Sequence, residues 1–359
     1  MVINRKDDFS PIVGERKIAP DHPCLQYMGR IDFDKEGGPE LVFPCSYVRL
    51  CFTGTSVRVA LTNTRSCWDN YFGVLIDGVQ RKFRLPENGA ASFVLARGLE
   101  DTKHELVLFK RMDSCHTMQF HGFFLEHSAA VHTPPPLPRR RMEVYGDSVS
   151  AGEVSEAVYY EGQPDPPHNG EFSNSYFSYA WMTARKCNAQ LHDIAQGGIS
   201  LLDKTGWFGG PDYKGIWNIY DKIEYHPDLG VPKPWDFRNY TPQVVIVAIG
   251  QNDSHPVDEM ALAYDGEKAA FWRRSYREFV RTLRGHYPAA HIVLKTTILE
   301  HHPSWDKAIG EVRHGLADEK IHHFRYRNNG TGTKGHIRIQ EAEGMAAELT
   351  AYILPFFGE

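Results

Sequence analysis

Val244-Val245-Ile246-Val247-Ala248-Ile249 is an unbroken apolar run of strand length, and it leads straight into Gly250-Gln251-Asn252-Asp253. A strand apolar on both faces belongs at the centre of a parallel sheet covered by helices on either side. The surrounding sequence has the matching alternation. Met142 to Tyr145, Leu191 to Ala195, His291 to Thr297 and Ile321 to Tyr326 are expected as further strands. Helices are expected over Lys268 to His286, over Gln340 to Leu354, and over Phe172 to Asn188, where Phe177, Ala180, Trp181 and Ala184 recur at three- and four-residue steps. Strand–helix alternation of this kind predicts an open α/β domain.

Upstream, His132-Thr133-Pro134-Pro135-Pro136-Leu137-Pro138 interrupts the pattern. Proline lacks the backbone donor and fixes φ, so a stiff linker is expected over 134–140, joining a domain at 1–133 to a second at 141–359. A length of 359 residues also favours two cores over one. Before the linker, Tyr47 to Phe52, Ser56 to Leu61, Tyr71 to Ile76, Phe83 to Leu85, Ser92 to Leu95, Glu105 to Phe109 and Met118 to Leu125 are short β-rich runs. Thr53-Gly54-Thr55 is expected to close a hairpin between the first two, and Asp77-Gly78 to make a later turn. The series predicts an all-β, jelly-roll-like sandwich.

Hydrophobic residues make up 42% and charged residues 24%, which suits a folded chain, and the net charge is −5. The basic run Arg139-Arg140-Arg141 is too short for a nucleic-acid footprint, and no apolar run is long enough to span a bilayer. The N-terminal stretch lacks an apolar h-region, so a cytoplasmic location is expected. Six cysteines (Cys24, Cys45, Cys51, Cys67, Cys115, Cys187) show no Cys-x-x-Cys pairs and are expected as free thiols.

Ligands of open α/β sheets collect at the carboxyl ends of the strands. Gly146-Asp147-Ser148 ends the first strand, Gln196-Gly197-Gly198-Ile199-Ser200 follows the second, Gly250-Gln251-Asn252-Asp253 ends the central one, and Gly335-His336 precedes the last helix. A serine hydroxyl needs a base to become a nucleophile, and His336 supplies one for Ser148. A tetrahedral intermediate needs fixed donors for its oxyanion. The amides of Ser148 and Gly198 and the side chain of Asn252 fit that role, with Gly197 as the alternative to Gly198. Asp147 adjoins Ser148 and is read as a loop anchor that accepts backbone amides. His301-His302 and His322-His323 lack metal-ligand spacing, because adjacent residues of a strand point apart.

Together these blocks resemble the SGNH hydrolase superfamily over about residues 141–359. The resemblance implies a flavodoxin-like domain with Ser148 as nucleophile and amide donor, Gly198 as second amide, Asn252 as side-chain donor and His336 as base, with neither cofactor nor metal. A sandwich ahead of such a domain, Met28-Gly29-Arg30, Phe109-Lys110-Arg111, Asn174-Ser175-Tyr176, and the stretch Ala269 to Pro288 are similar to carbohydrate esterase family 2. Its members remove O-acetyl groups from plant polysaccharides and oligosaccharides. An acetylesterase acting through an acetyl-enzyme on xylan- or mannan-derived oligosaccharides is therefore implied. Most SGNH enzymes carry aspartate three residues before the histidine, where this chain has Thr333, and Ile337 replaces the usual proline. Some family 2 members work with a Ser–His dyad. That implies a Ser148–His336 dyad oriented by a carbonyl near Thr333 or Lys334, with Asp318, Glu341 or Glu343 as the other possible orienters.

Gly206 to Tyr225 holds Trp207, Phe208, Tyr213, Trp217 and Tyr220. Aromatic faces stack on sugar rings, which makes Trp207 and Trp217 candidate platforms; packing beneath a long loop is the other use. Trp235 is expected in the core. Two further functions fit the sequence: an SGNH lipid esterase or thioesterase with an apolar trench, and a carbohydrate-binding protein without catalysis.

Overall fold

The computed structural model describes residues 2–3, 9–167, 169–207, 213–225 and 233–358. Val244–Val247 lies at the centre of a five-stranded parallel sheet. Arg140–Gly146 and then Ala189–Ala195 pair on one side of it, His291–Leu294 and then Ile321–His323 on the other. In chain order this is 2-1-3-4-5, the flavodoxin-like arrangement, whose switch point lies between the first and third strands. Val244 and Ile246 point into one apolar cluster with the helices Tyr179–Lys186 and Ile339–Ile353. Val245 and Val247 point into the other with Glu267–His286 and Ser304–Leu316. A side-chain period of two buries the strand on both faces, which is why its sequence is uniformly apolar.

Two expectations change. Residues 172–188 are not one helix: Ser175–Phe177 is a short 3₁₀ turn and the α-helix runs only over Tyr179–Lys186. Asn174 accepts the Tyr176 amide and Ser178 the Trp181 amide, so each piece starts from its own side-chain cap, and the extended backbone at Ser178 separates them. Thr53-Gly54-Thr55 does not close a hairpin. Tyr47–Thr53 pairs with Lys103–Lys110 in a six-stranded sheet, while Val57–Arg65 pairs with Gly89–Ala96 and His116–Glu126 in a seven-stranded one. The chain crosses there between the two sheets of the sandwich, because both strands find partners far along the sequence. Tyr71–Ile76 and Val79–Arg84 do pair about Asp77-Gly78. Phe72, Val59, Leu61, Leu106, Leu108, Phe120 and Phe123 fill the space between the sheets.

The sandwich is bolted to the parallel sheet by buried charge. Arg30 and Glu143 are both 0% exposed and pair at 2.6 Å. Arg30 also donates to the carbonyls of Tyr220 and Lys222, while Tyr145 and Tyr287 hydroxyls donate to Glu143. Ser175 donates to the Lys110 carbonyl, and Arg111 reaches the Ser173 carbonyl and Glu156. The residues of Met28-Gly29-Arg30, Phe109-Lys110-Arg111 and Asn174-Ser175-Tyr176 thus join the two halves. Arg30→Met is expected to cost about 3–5 kcal/mol, since it strands a buried carboxylate. A urea unfolding midpoint within error of wild type would contradict this.

Candidate active site

Ser148 sits at the switch point. It is the first residue of a one-turn helix, Ser148–Ala151, directly after the first strand of the parallel sheet. The turn is tight enough that a Cβ on Gly146 would lie 2.1 Å from the Ser150 hydroxyl oxygen. Asp147 caps the helix by accepting the Val149 amide at 3.0 Å. Its other oxygen accepts from Gln251 at 3.0 Å and from Asn252 at 3.3 Å. The loop anchor expected at Asp147 therefore also fixes the block at the end of the central strand. Burial raises the Asp147 carboxyl above its ordinary range, against the pull of these donors.

The rest of that block divides the work. Asn252 uses one amide hydrogen on Asp147 and keeps a second for the cavity it lines. Asp253 turns inward, accepting the Leu201 amide at 2.9 Å and the Trp272 indole at 2.6 Å, and burial lifts its pKa to about 6. It thereby braces the loop after the second strand. In that loop the two glycines differ. The Gly197 amide donates to Asp113 at 2.6 Å. Gly198 has φ +69°, which a side chain rarely tolerates, and among the described residues its amide has no acceptor. Gly198 rather than Gly197 lines the cavity.

His336 meets this group from the loop before the last helix. Its Nδ1 lies 2.5 Å from an oxygen of Asp165, whose other oxygen accepts the His336 amide at 2.9 Å and Arg338 at 2.8 Å. The orienter is thus a carboxylate, not a carbonyl near Thr333 or Lys334. The other acids lie elsewhere: Asp318 pairs with Arg284, Glu341 caps the last helix at Arg338, and Glu343 is exposed. Burial alone would raise Asp165, but the hydrogen bonds and charge of His336 and the Arg338 guanidinium outweigh it and hold the carboxyl well below the usual range. With Nδ1 occupied, Nε2 is the nitrogen left for chemistry. It lies 3.9 Å from Glu153, whose carboxyl is raised well above its ordinary range by burial and by Asp113.

Ser148, Gly198, Asn252, His336, Asp165 and Glu153 border one cavity of about 400 Å³. Trp207 is on its rim, 65% exposed, with its edge toward His255 and its amide donating to the Gly198 carbonyl. Trp68 is on the rim too, and it comes from the sandwich. Trp217 is not: it lies in the short helix Ile216–Ile219 and packs edge-on against Phe279 at 5.6 Å. The apolar side of a four-residue helix claims its ring for the core. Phe208 lies outside the described residues. Trp235 is half-buried beneath the Arg30 guanidinium. The histidine pairs serve structure: His301 bridges Asp306 and the Leu299 carbonyl, and His322 stacks with His291 and Phe356. Sequence reading missed Asp165, Trp68, Asp113 and Glu153. Only Asp165 carries a local signal, an acid fixed between Pro164 and Pro166.

The fold has known counterparts. Residues 27–135 match the family described as "Carbohydrate esterase 2 N-terminal". A family two carbohydrate esterase from Clostridium thermocellum, solved in complex with cellohexaose, is 30% identical with a TM-score of 0.74, over 92% of this chain and 98% of that one. The chain belongs to carbohydrate esterase family 2. Two further relatives are named as esterases. The cellulase/esterase CelE of Acetivibrio thermocellus is 35% identical over 278 residues, 76% of this chain but 31% of its own length, so the chain spans about a third of that protein. The acetylxylan esterase / glucomannan deacetylase of Cellvibrio japonicus is 24% identical over 93% of this chain and 89% of its own.

Proposed function

We propose that the chain removes O-acetyl groups from plant-type xylan or mannan oligosaccharides, with Ser148 as nucleophile. The observation that carries this reading is the Asp165–His336 pair facing the cavity that Ser148 lines. Ser148 attacks the acetyl carbonyl as His336 Nε2 takes its proton, and Asp165 stabilises the imidazolium. The amides of Ser148 and Gly198 and the Asn252 side chain receive the oxyanion. The sugar hydroxyl leaves with the proton from His336, and water then attacks the acetyl-enzyme with His336 as base.

The polar side chains that converge on the cavity and the two tryptophans at its rim support an acetyl group on a sugar. One feature favours a second reading, a longer acyl chain. A neighbouring cavity of about 560 Å³, lined by Val257, Met260, Phe271 and Trp305, shares His255 with the catalytic one. Acetate release from acetylated xylo- and gluco-mannooligosaccharides, compared with aryl esters of increasing chain length, separates the two. Activity rising from acetate to octanoate would overturn the acetylesterase reading. Trp68→Ala and Trp207→Ala are expected to raise KM for the oligosaccharide by about 5- to 30-fold through lost stacking, with little change on aryl acetate. Equal effects on both substrates would contradict a sugar platform.

A further inference from the structure

Two of the free thiols meet behind the rim of the catalytic cavity. The ladder between Val57–Arg65 and His116–Glu126 ends at the pair Arg65–His116. Cys67 lies two residues beyond that pair on one strand and Cys115 one residue before it on the other, and their thiols are hydrogen-bond partners. Both thiols are free. Cys67 is exposed, while Cys115 is 1% exposed. Each neighbours a part of the site. Cys67 directly precedes Trp68 on the rim. Cys115 donates its amide to Asp113, whose other oxygen holds the Gly197 amide, and between them Ser114 binds the Ala195 carbonyl and Gln196. The Cys115 sulfur also lies 3.8 Å from the Tyr213 hydroxyl.

We propose that Cys67 and Cys115 form a reversible thiol–disulfide modification site that couples the Trp68 rim to the Gly197–Gly198 loop. Its chemistry needs an external disulfide as oxidant. The Cys67 thiolate attacks it, forming a mixed disulfide and releasing one thiolate. Cys115 then loses its proton to the thiolate already released and attacks the Cys67 sulfur, releasing the second thiolate. Two protein thiols are oxidised and one external disulfide is reduced to two thiols. The two sulfurs are suited to these unequal parts. The neighbouring Cys115 thiol, with help from His116 and against the pull of burial, brings Cys67 down to about 5. Cys115 itself is held well above its ordinary value, first by Cys67 and then by burial, so capping Cys67 removes the main brake on its ionisation.

The reaction has a pH signature. A low-pKa thiolate is abundant but intrinsically less nucleophilic, by a Brønsted slope of about 0.4–0.5. Against an ordinary thiol near pKa 8.5, Cys67 is expected to react roughly 30- to 60-fold faster at pH 5 and about tenfold slower at pH 8. Joining the sulfurs pulls the Trp68 loop and the Asp113 segment toward one another. Displacing the oxyanion loop even slightly is expected to lower kcat/KM about tenfold.

This rests on the esterase reading only for its activity arm; the thiol arm stands alone. The test is dithiodipyridine at pH 5. Wild type should release two thiopyridones per chain in one fast phase, Cys115→Ala one, and Cys67→Ser none. Peptide mapping should then show Cys67 joined to Cys115. Aryl acetate hydrolysis should fall in oxidised wild type, recover with dithiothreitol, and stay constant in Cys67→Ser. A fast phase that survives Cys67→Ser, a stable mixed disulfide in wild type, or a mapped cross-link with unchanged kcat/KM would each overturn the proposal. A chain inactive on every ester before oxidation would instead sink the function proposed above and leave the thiol result to be read by itself.

Discussion

Ser148→Ala is expected to lower kcat about 10⁵- to 10⁶-fold, while the fold and oligosaccharide binding persist. Ser148 is 5% exposed, at the start of a helix whose cap is made by Asp147 and not by Ser148 itself. Alanine is the better helix former and adds no atom, so the backbone amides of residues 148 and 198 stay in place. Such a variant keeps its oxyanion donors, so a residual rate of about 10³ over water is expected. Acetate release gives kcat, and binding of unreacted oligosaccharide by calorimetry confirms the fold. A loss below tenfold would mean that another group attacks the ester.

Asp165→Asn is the second large effect, with kcat expected to fall about 10³- to 10⁴-fold. An amide on His336 Nδ1 cannot stabilise the imidazolium, and it permits the tautomer with its proton on the wrong nitrogen. The same change removes the anion beside Arg338, which is fully buried, so some stability goes too. The two consequences separate by pH. Asp165 has its folded-state pKa depressed, so the stability it contributes is full above its unfolded value, near 4, and is lost as pH falls through the folded value. The stability gap between wild type and variant should therefore be widest above about pH 4 and close in stronger acid. The kcat defect should persist across the neutral range, where both proteins are folded. A defect in stability without one in kcat would return His336 to a dyad.

These residues were unequally legible. The run Val244 to Ile249 declares a central strand because burial on both faces leaves no room for polar side chains. Ser148, Gly198, Asn252 and His336 stand at strand and helix ends, where local chain geometry and chemistry coincide. Asp165 does not. It reaches His336 across 171 residues of sequence, from a proline-flanked loop that has no periodicity to read. Thr333, in the position where an acid is usual, directed attention to neighbouring carbonyls, although the tertiary fold supplies the charge from elsewhere. Trp68 was hidden for a related reason: it belongs to the sandwich, and the packing of the two domains, held by Arg30 and Glu143 among others, brings it to the cavity. Trp217 shows the converse. Composition suggested a sugar platform, but a ring at this position of Ile216–Ile219 has the core within reach. The Thr53-Gly54-Thr55 segment is a local turn signal whose flanking strands are claimed by distant partners.

The most direct test of the account is to treat the folded chain with a fluorophosphonate, which esterifies an activated serine, and to map the modified peptide. One equivalent per chain is expected, carried by Ser148, with loss of acetate release in proportion to labelling and much slower labelling in Asp165→Asn. Label on another residue, or full acetate release from a chain labelled at Ser148, would contradict it.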